Sequence, residues 1–194
     1  MTAAFVDRYL AELEQVLRRL SRHEIAAVVD RLLAAWKEER TIFLIGNGGS
    51  AATASHLMND LNKYTQVAGQ SRVRALALTD NVPLMTAIAN DLGYQHVFVE
   101  PLRNLLRAGD VVVAVSTSGN SPNIVAAAEF AKSAGATVIG LCGNPGSRLA
   151  ELADPKIIVQ SDRVGQQEDV HLILNHVIAE ALRQRIADCA HAVV

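Results

Sequence analysis

Two segments of this 194-residue chain carry residue types that could grip an anion. The first, Gly46-Asn47-Gly48-Gly49-Ser50, runs straight into Ala51-Ala52-Thr53-Ala54-Ser55-His56. Its glycines let the backbone turn tightly and bring amides close to a ligand, and Ser50 opens a helix whose N-terminus favours negative charge. The second is Ser116-Thr117-Ser118-Gly119-Asn120-Ser121-Pro122. It offers four hydroxyls within six positions, with Ser121 placed as an N-cap and Pro122 at the first helical position. Neither segment contains a lysine, so a cage of neutral donors around a phosphomonoester fits better than a Walker loop. Asn47, Gly48, Gly49, Ser50, Ser116, Thr117, Ser118 and Ser121 are the candidate phosphate-binding residues.

A second set could move protons or hold a metal. His56 and Asp60 are four apart on the helix after the first loop and share a face. Near the end of the chain Glu168, Leu172 and His176 advance by four, drifting about 40° per step. Each helix thus offers one imidazole and one carboxylate. Two His and two carboxylates suit a divalent metal such as zinc, one per site, and suit equally an acid–base pair. His171 falls about 60° from Glu168 on the side away from His176 and reads as a satisfied helix histidine. His23, His96 and His191 have no partner at ligand spacing and read as surface residues. Asp91 follows Asn90 near a helix end on the ligand side.

The elements that must position these groups follow from hydrophobic period. Residues 1–38 repeat apolar positions at helical spacing in two stretches, with Ser21 and Glu24 forming a capping box for the second. Short β-branched runs follow at 41–45, 73–78, 110–116, 137–142 and 156–160, several of them apolar throughout, as strands buried on both faces are. Helical stretches at 50–63, 82–89, 94–106, 122–134 and 147–152 alternate with them, and a last helix covers 167–189. The alternation predicts an α/β protein with a doubly wound parallel sheet spanning 41–160, within one domain over 1–194. With strand order 2-1-3-4-5, the order reverses between strands 1 and 3, and both glycine- and serine-rich loops open at that crevice. A dinucleotide site would need an acid about twenty residues past the glycines. The nearest at a strand end, Asp80, lies more than thirty residues past Gly46, so no nucleotide cofactor is expected.

Composition narrows the rest. With 18 basic against 20 acidic residues the chain has no electrostatic footprint for nucleic acid. No apolar run approaches the roughly 20 residues of a membrane span, and the first ten residues include Asp7 and no signal-type apolar region. A soluble, cytoplasmic protein is expected. Cys142 and Cys189 are too few for a disulfide framework.

Gly46-Asn47-Gly48-Gly49-Ser50-Ala51-Ala52, Ala89-Asn90-Asp91, Ser116-Thr117-Ser118-Gly119-Asn120-Ser121 and the start of the final helix together resemble the sugar isomerase (SIS) domain family, and within it the phosphoheptose (sedoheptulose 7-phosphate) isomerases. The resemblance spans essentially the whole chain. It implies a flavodoxin-like three-layer sandwich with a five-stranded parallel sheet, two N-terminal helices and a long C-terminal helix. It also implies a homotetramer with sites at subunit interfaces, and aldose–ketose isomerisation through an enediol. Phosphate would be held by Ser50, Ser116, Ser118 and Ser121 with help from Thr117, and Asp91 would lie near the sugar. Asp60 and His176 fall at the family's acid–base positions, and His56, Asp60, Glu168 and His176 at its metal positions. Asp60 replaces a Glu, drawing the carboxylate back by about 1.5 Å, and Glu168 replaces a Gln. A non-catalytic SIS protein that binds a sugar phosphate, and an isomerase of another ketose phosphate, are the competing readings.

Overall fold

The computed structural model describes residues 1–191. Five parallel strands, β1 (Thr41–Gly46), β2 (Arg74–Ala77), β3 (Val111–Ser116), β4 (Thr137–Cys142) and β5 (Lys156–Ile158), form one sheet in the order β2-β1-β3-β4-β5. Each inner strand is apolar on both sides because both faces are covered. Ile42, Leu44, Val111, Val113 and Val115 point into one core, and Phe43, Ile45, Val112 and Ala114 into the other.

The first core is closed by α2 (Arg22–Lys37), α3 (Gly49–Asn59) and α8 (Val164–His191), with α1 (Thr2–Arg18) touching it through Val16. The second is closed by α4 (Val82–Asp91), α5 (Val99–Leu105), α6 (Pro122–Ser133) and α7 (Arg148–Leu152). Helix, sheet and helix layers result, as the chain's alternation requires. The Ser21 hydroxyl accepts the Glu24 amide at 3.2 Å and starts α2 where the capping box places it.

Three of the departures from the periodic reading have a clear local reason. The stretch 94–106 divides into a 3₁₀ turn, Tyr94–His96, and α5, because Pro101 has no amide to donate and its ring clashes with a carbonyl one turn back. Pro101 therefore sits in the first turn of a new helix. The stretch 50–63 ends in a π-turn over Asp60–Tyr64, closed by the Thr65 amide on the Asp60 carbonyl at 3.1 Å. The last helix begins at Val164 rather than 167, where the Ser161 hydroxyl accepts the Arg163 amide at 3.1 Å and donates to Gln166 at 2.7 Å. His23 is exposed and His96 half-buried, and the side chain of His191 lies outside the described residues. No helix among the described residues is long and apolar enough to cross a membrane.

Candidate active site

β1 and β3 are neighbours with Gly46 level with Val115, so the two loops leave the sheet side by side at the switch point. Gly46 is held to glycine by space: a Cβ there would stand 2.4 Å from the Ser50 carbonyl oxygen. Gly48, at φ +55°, is the N-cap of α3, and Ser50 is buried in the first turn. In the second loop the Ser116 hydroxyl accepts the Gly119 amide at 3.1 Å and the Ser118 hydroxyl accepts the Asn120 amide at 3.3 Å. Gly119 has φ +64°, and a Cβ on it would collide with the Ser147 side chain. Thr117, half-buried, accepts the Gly143 amide through its carbonyl at 3.0 Å.

Ser121 occupies the N-cap of α6 with Pro122 next, but its side chain makes no capping bond. Its carbonyl takes the Ile124 and Val125 amides, so its hydroxyl is left uncommitted to the helix. Asp91 is exposed at the end of α4 and accepts the Asn90 side chain at 2.8 Å.

α3 and α8 run side by side in the same direction. Glu168 lies against Gly49, Asn175 donates to the Thr53 carbonyl at 3.2 Å, and His176 meets His56. The meeting is close: the two Nε2 atoms are 3.2 Å apart, with the rings edge to face, and His56 Nε2 is 3.3 Å from Asp60 Oδ2. Ligand atoms of His56, Asp60 and His176 all fall within 4.8 Å of one another.

Two ligands about 2.05 Å from a tetrahedral zinc are separated by about 3.3 Å. The N–N and N–O spacings of 3.2 and 3.3 Å match that figure, and the donor set of two imidazoles and a carboxylate suits the metal. These three residues fit a divalent ion. Glu168 does not join them. Eight residues of helix place it about 12 Å along the axis and about 80° around it from His176, beside the glycine loop.

Tyr64 and Glu180, which sequence reasoning passed over, extend the same cluster by one turn on each helix. The Tyr64 hydroxyl donates to the Glu180 carboxylate, and the two line a cavity of about 250 Å³ together with Asp60, His176 and Ala179. The signal was their spacing, i+4 from Asp60 and from His176. Asn123, the second residue of α6, was also passed over. Its carboxamide pairs with that of Asn47.

His171 is fully buried, and neither ring nitrogen has a hydrogen-bond partner among the described residues. The same holds for Asn175 Oδ1 one turn on. The helix phase turns the ring into the core, toward the Cys142 backbone but short of a well-formed hydrogen bond. Burial lowers its pKa to about 4, against a weaker upward pull from the Cys142 backbone. The folded state then holds fewer protons than the unfolded one between pH 6.5 and 4. Stability should be full above pH 6.5 and fall by roughly 3 kcal/mol as acid is added down to pH 4. A His171→Leu variant should lose that part of the pH dependence and gain about 3–6 °C in Tm at neutral pH, because an unpaired buried group is removed. Thermal melts from pH 4 to 8 check both.

The geometry can be set beside known proteins. The SIS domain family model matches residues 5–143. The phosphoheptose isomerase of Geotalea daltonii is 37% identical over 163 residues, 84% of each chain. That of Paramagnetospirillum magneticum is 35% identical over 188 residues, 92% of this chain and 94% of its own. The structure of phosphoheptose isomerase GmhA from Neisseria gonorrhoeae superposes with a TM-score of 0.86 at 29% identity, covering 95% of this chain and all of the other. With the two loops at the switch point and likeness over nearly its full length, the chain belongs to the SIS domain family, among the phosphoheptose isomerases.

Proposed function

We propose that this chain is an aldose–ketose isomerase that converts sedoheptulose 7-phosphate to D-glycero-D-manno-heptose 7-phosphate. One observation carries the reading: the glycine- and serine-rich loops and the His56–Asp60–His176 cluster lie at opposite ends of α3. Ten residues separate Ser50 from Asp60, about 15 Å of helix, and the Asp60 side chain leans back toward the N-terminus. An extended seven-carbon sugar phosphate spans about 10 Å from C1 to phosphorus, eight bonds at about 1.2 Å each. A hydrogen-bond length at each end fills the remainder.

In this reading the C7 phosphate sits on the hydroxyls of Ser50, Ser116, Thr117, Ser118 and Ser121 and on the Gly48 and Gly49 amides, with Asn47 beside them. Asp91 reaches the sugar hydroxyls. The Asp60 carboxylate takes a proton from C1, leaving a 1,2-enediol, and returns one to C2. His176 carries the matching proton between the C2 and C1 oxygens.

His56, Asp60 and His176 would also hold a divalent metal such as zinc. When bound it polarises the ketose carbonyl, and His176 is then a ligand instead of a proton carrier.

The enzyme works in this reading as a homotetramer with sites at subunit interfaces. Phe5, Val6 and Leu10 on α1, and Leu172, Ile173 and Val177 on α8, are exposed apolar residues that a second copy would cover. Cytoplasmic placement is supported by the free thiols of Cys142 and Cys189.

The test is a chain-length series. Ketose phosphates of five, six and seven carbons are offered at equal concentration, and aldose formation is followed. The seven-carbon substrate should exceed the five-carbon one at least a hundredfold in kcat/KM, since a short chain cannot reach Asp60 while its phosphate is seated. Equal rates across the series would contradict the spacing argument.

A further inference from the structure

We propose that Asn123 is a positioning residue: it clasps the two anion loops together through Asn47, with the Tyr94 hydroxyl as the outer buttress. The inference deepens the phosphate reading above and rests on it.

The two loops come from different strands, and their clasping residues are 76 apart in sequence. Each loop turns on a glycine with positive φ, Gly48 at +55° and Gly119 at +64°. What ties them is a reciprocal pair of carboxamides. Asn47 Nδ2 donates to Asn123 Oδ1 at 2.9 Å, and Asn123 Nδ2 donates to Asn47 Oδ1 at 2.8 Å. Tyr94, on the 3₁₀ turn, donates to the same Asn47 oxygen at 3.0 Å. The Ile124 amide donates to Asn123 Oδ1 at 3.0 Å and fixes the side chain on the first turn of α6.

Burial gives the clasp its force. Asn123 is only 2% exposed, so loss of its partner would leave a desolvated amide unpaired. Asn47 Oδ1 already receives two donors, which accounts for both of its lone pairs. One Nδ2 hydrogen of Asn47 goes to Asn123 as well, so the clasp sets the orientation of the carboxamide and leaves it a single N–H to spare. The Gly48 and Gly49 amides and the N-terminus of α6 are left to meet the ligand. A phosphomonoester that bridges the two helix starts needs their separation fixed before it arrives. The acid–base cluster lies at the other end of α3, so the clasp should govern affinity and leave the chemical step alone.

The test measures the Kd of inorganic phosphate by calorimetry on the full-length protein, alongside KM and kcat with the seven-carbon ketose phosphate. Asn123→Ala should raise phosphate Kd and KM together by about tenfold, with kcat within twofold of the parent. Asn47→Ala should raise both at least as much, and the double variant should be no worse than Asn47→Ala alone, since each removes the same clasp. A double variant weaker by about a hundredfold, or a loss that falls on kcat, would overturn the proposal. Should Asn123→Ala fail to fold, Tyr94→Phe reads the clasp from its exposed side. About a threefold rise in Kd is expected there, and an unchanged Kd overturns the buttress. Parent protein that binds phosphate while Asn123→Ala binds it equally well overturns the clasp alone. Parent protein that does not bind phosphate overturns the reading beneath it.

Discussion

His176→Asn should lower kcat for ketose-to-aldose conversion by about a thousandfold while KM moves by less than threefold. Removal of a positioned acid or base costs about 10²–10⁴ in rate, and this imidazole is one half of a contact at 3.2 Å that has no substitute on its helix face. Its neighbours one turn away on α8 are Leu172, which is exposed and apolar, and Glu180, which is already engaged by Tyr64. The effect should fall on kcat because the proposed phosphate site lies about a helix length away, at the start of α3. The same split is expected whether the ring carries a proton or ligates a metal, since either role acts at C1 and C2. Steady-state kinetics on protein whose far-UV circular dichroism matches the parent decides it. A large rise in KM at constant kcat would assign His176 to binding instead.

The second large effect is expected from one methyl group. In Gly46→Ala the new Cβ would stand 2.4 Å from the Ser50 carbonyl oxygen and 3.0 Å from the Ala51 nitrogen, both backbone atoms of the first turn of α3. No rotamer change relieves that contact, so the helix start must move by about 1 Å. A misplacement of that size costs on the order of a hundredfold, and here it would shift the proposed anion site and the His56–Asp60 end of the same helix together. We expect kcat/KM to fall at least a hundredfold. Gly48→Ala meets no atom within 4 Å, and its strain, at φ +55° and ψ −123°, falls on the loop and leaves the start of α3 in place, so its loss should be smaller. Equal losses at the two positions would mean that loop conformation, and not helix placement, dominates.

Much of the fold was legible because each strand of the core is apolar on both faces and each connection is helical. Those two periods leave few topologies, and the crossover between β1 and β3 then places Gly46–Ser50 beside Ser116–Ser121. The His56–Asp60 pair was legible from its i,i+4 spacing alone.

What stayed hidden depended on contacts between elements. Glu168 shares a coarse helical stripe with His176, yet two steps of drift turn it toward Gly49, and only the docking of α8 on α3 shows this. The inward turn of His171 has the same origin. Ser121 carries the residue type of an N-cap but leaves the capping to backbone bonds. The π-turn at Asp60–Tyr64 has no signature in residue type, although it shifts the phase of Tyr64 relative to Asp60. Asn123 hid because a buried carboxamide near a helix start reads as local capping until its partner, 76 residues away, is seen.

The most direct test of the proposed isomerisation is to incubate the protein with sedoheptulose 7-phosphate in deuterium oxide and follow C1 and C2 by NMR. An enediol whose proton passes through Asp60 predicts an aldose carrying deuterium at C2, together with deuterium washing into C1 of the remaining ketose. An aldose whose C2 hydrogen comes wholly from C1, with no deuterium at either carbon however long the incubation, would contradict an enediol whose proton exchanges with solvent through Asp60. No aldose and no exchange at either carbon, with or without added zinc, would contradict isomerase activity on this substrate altogether.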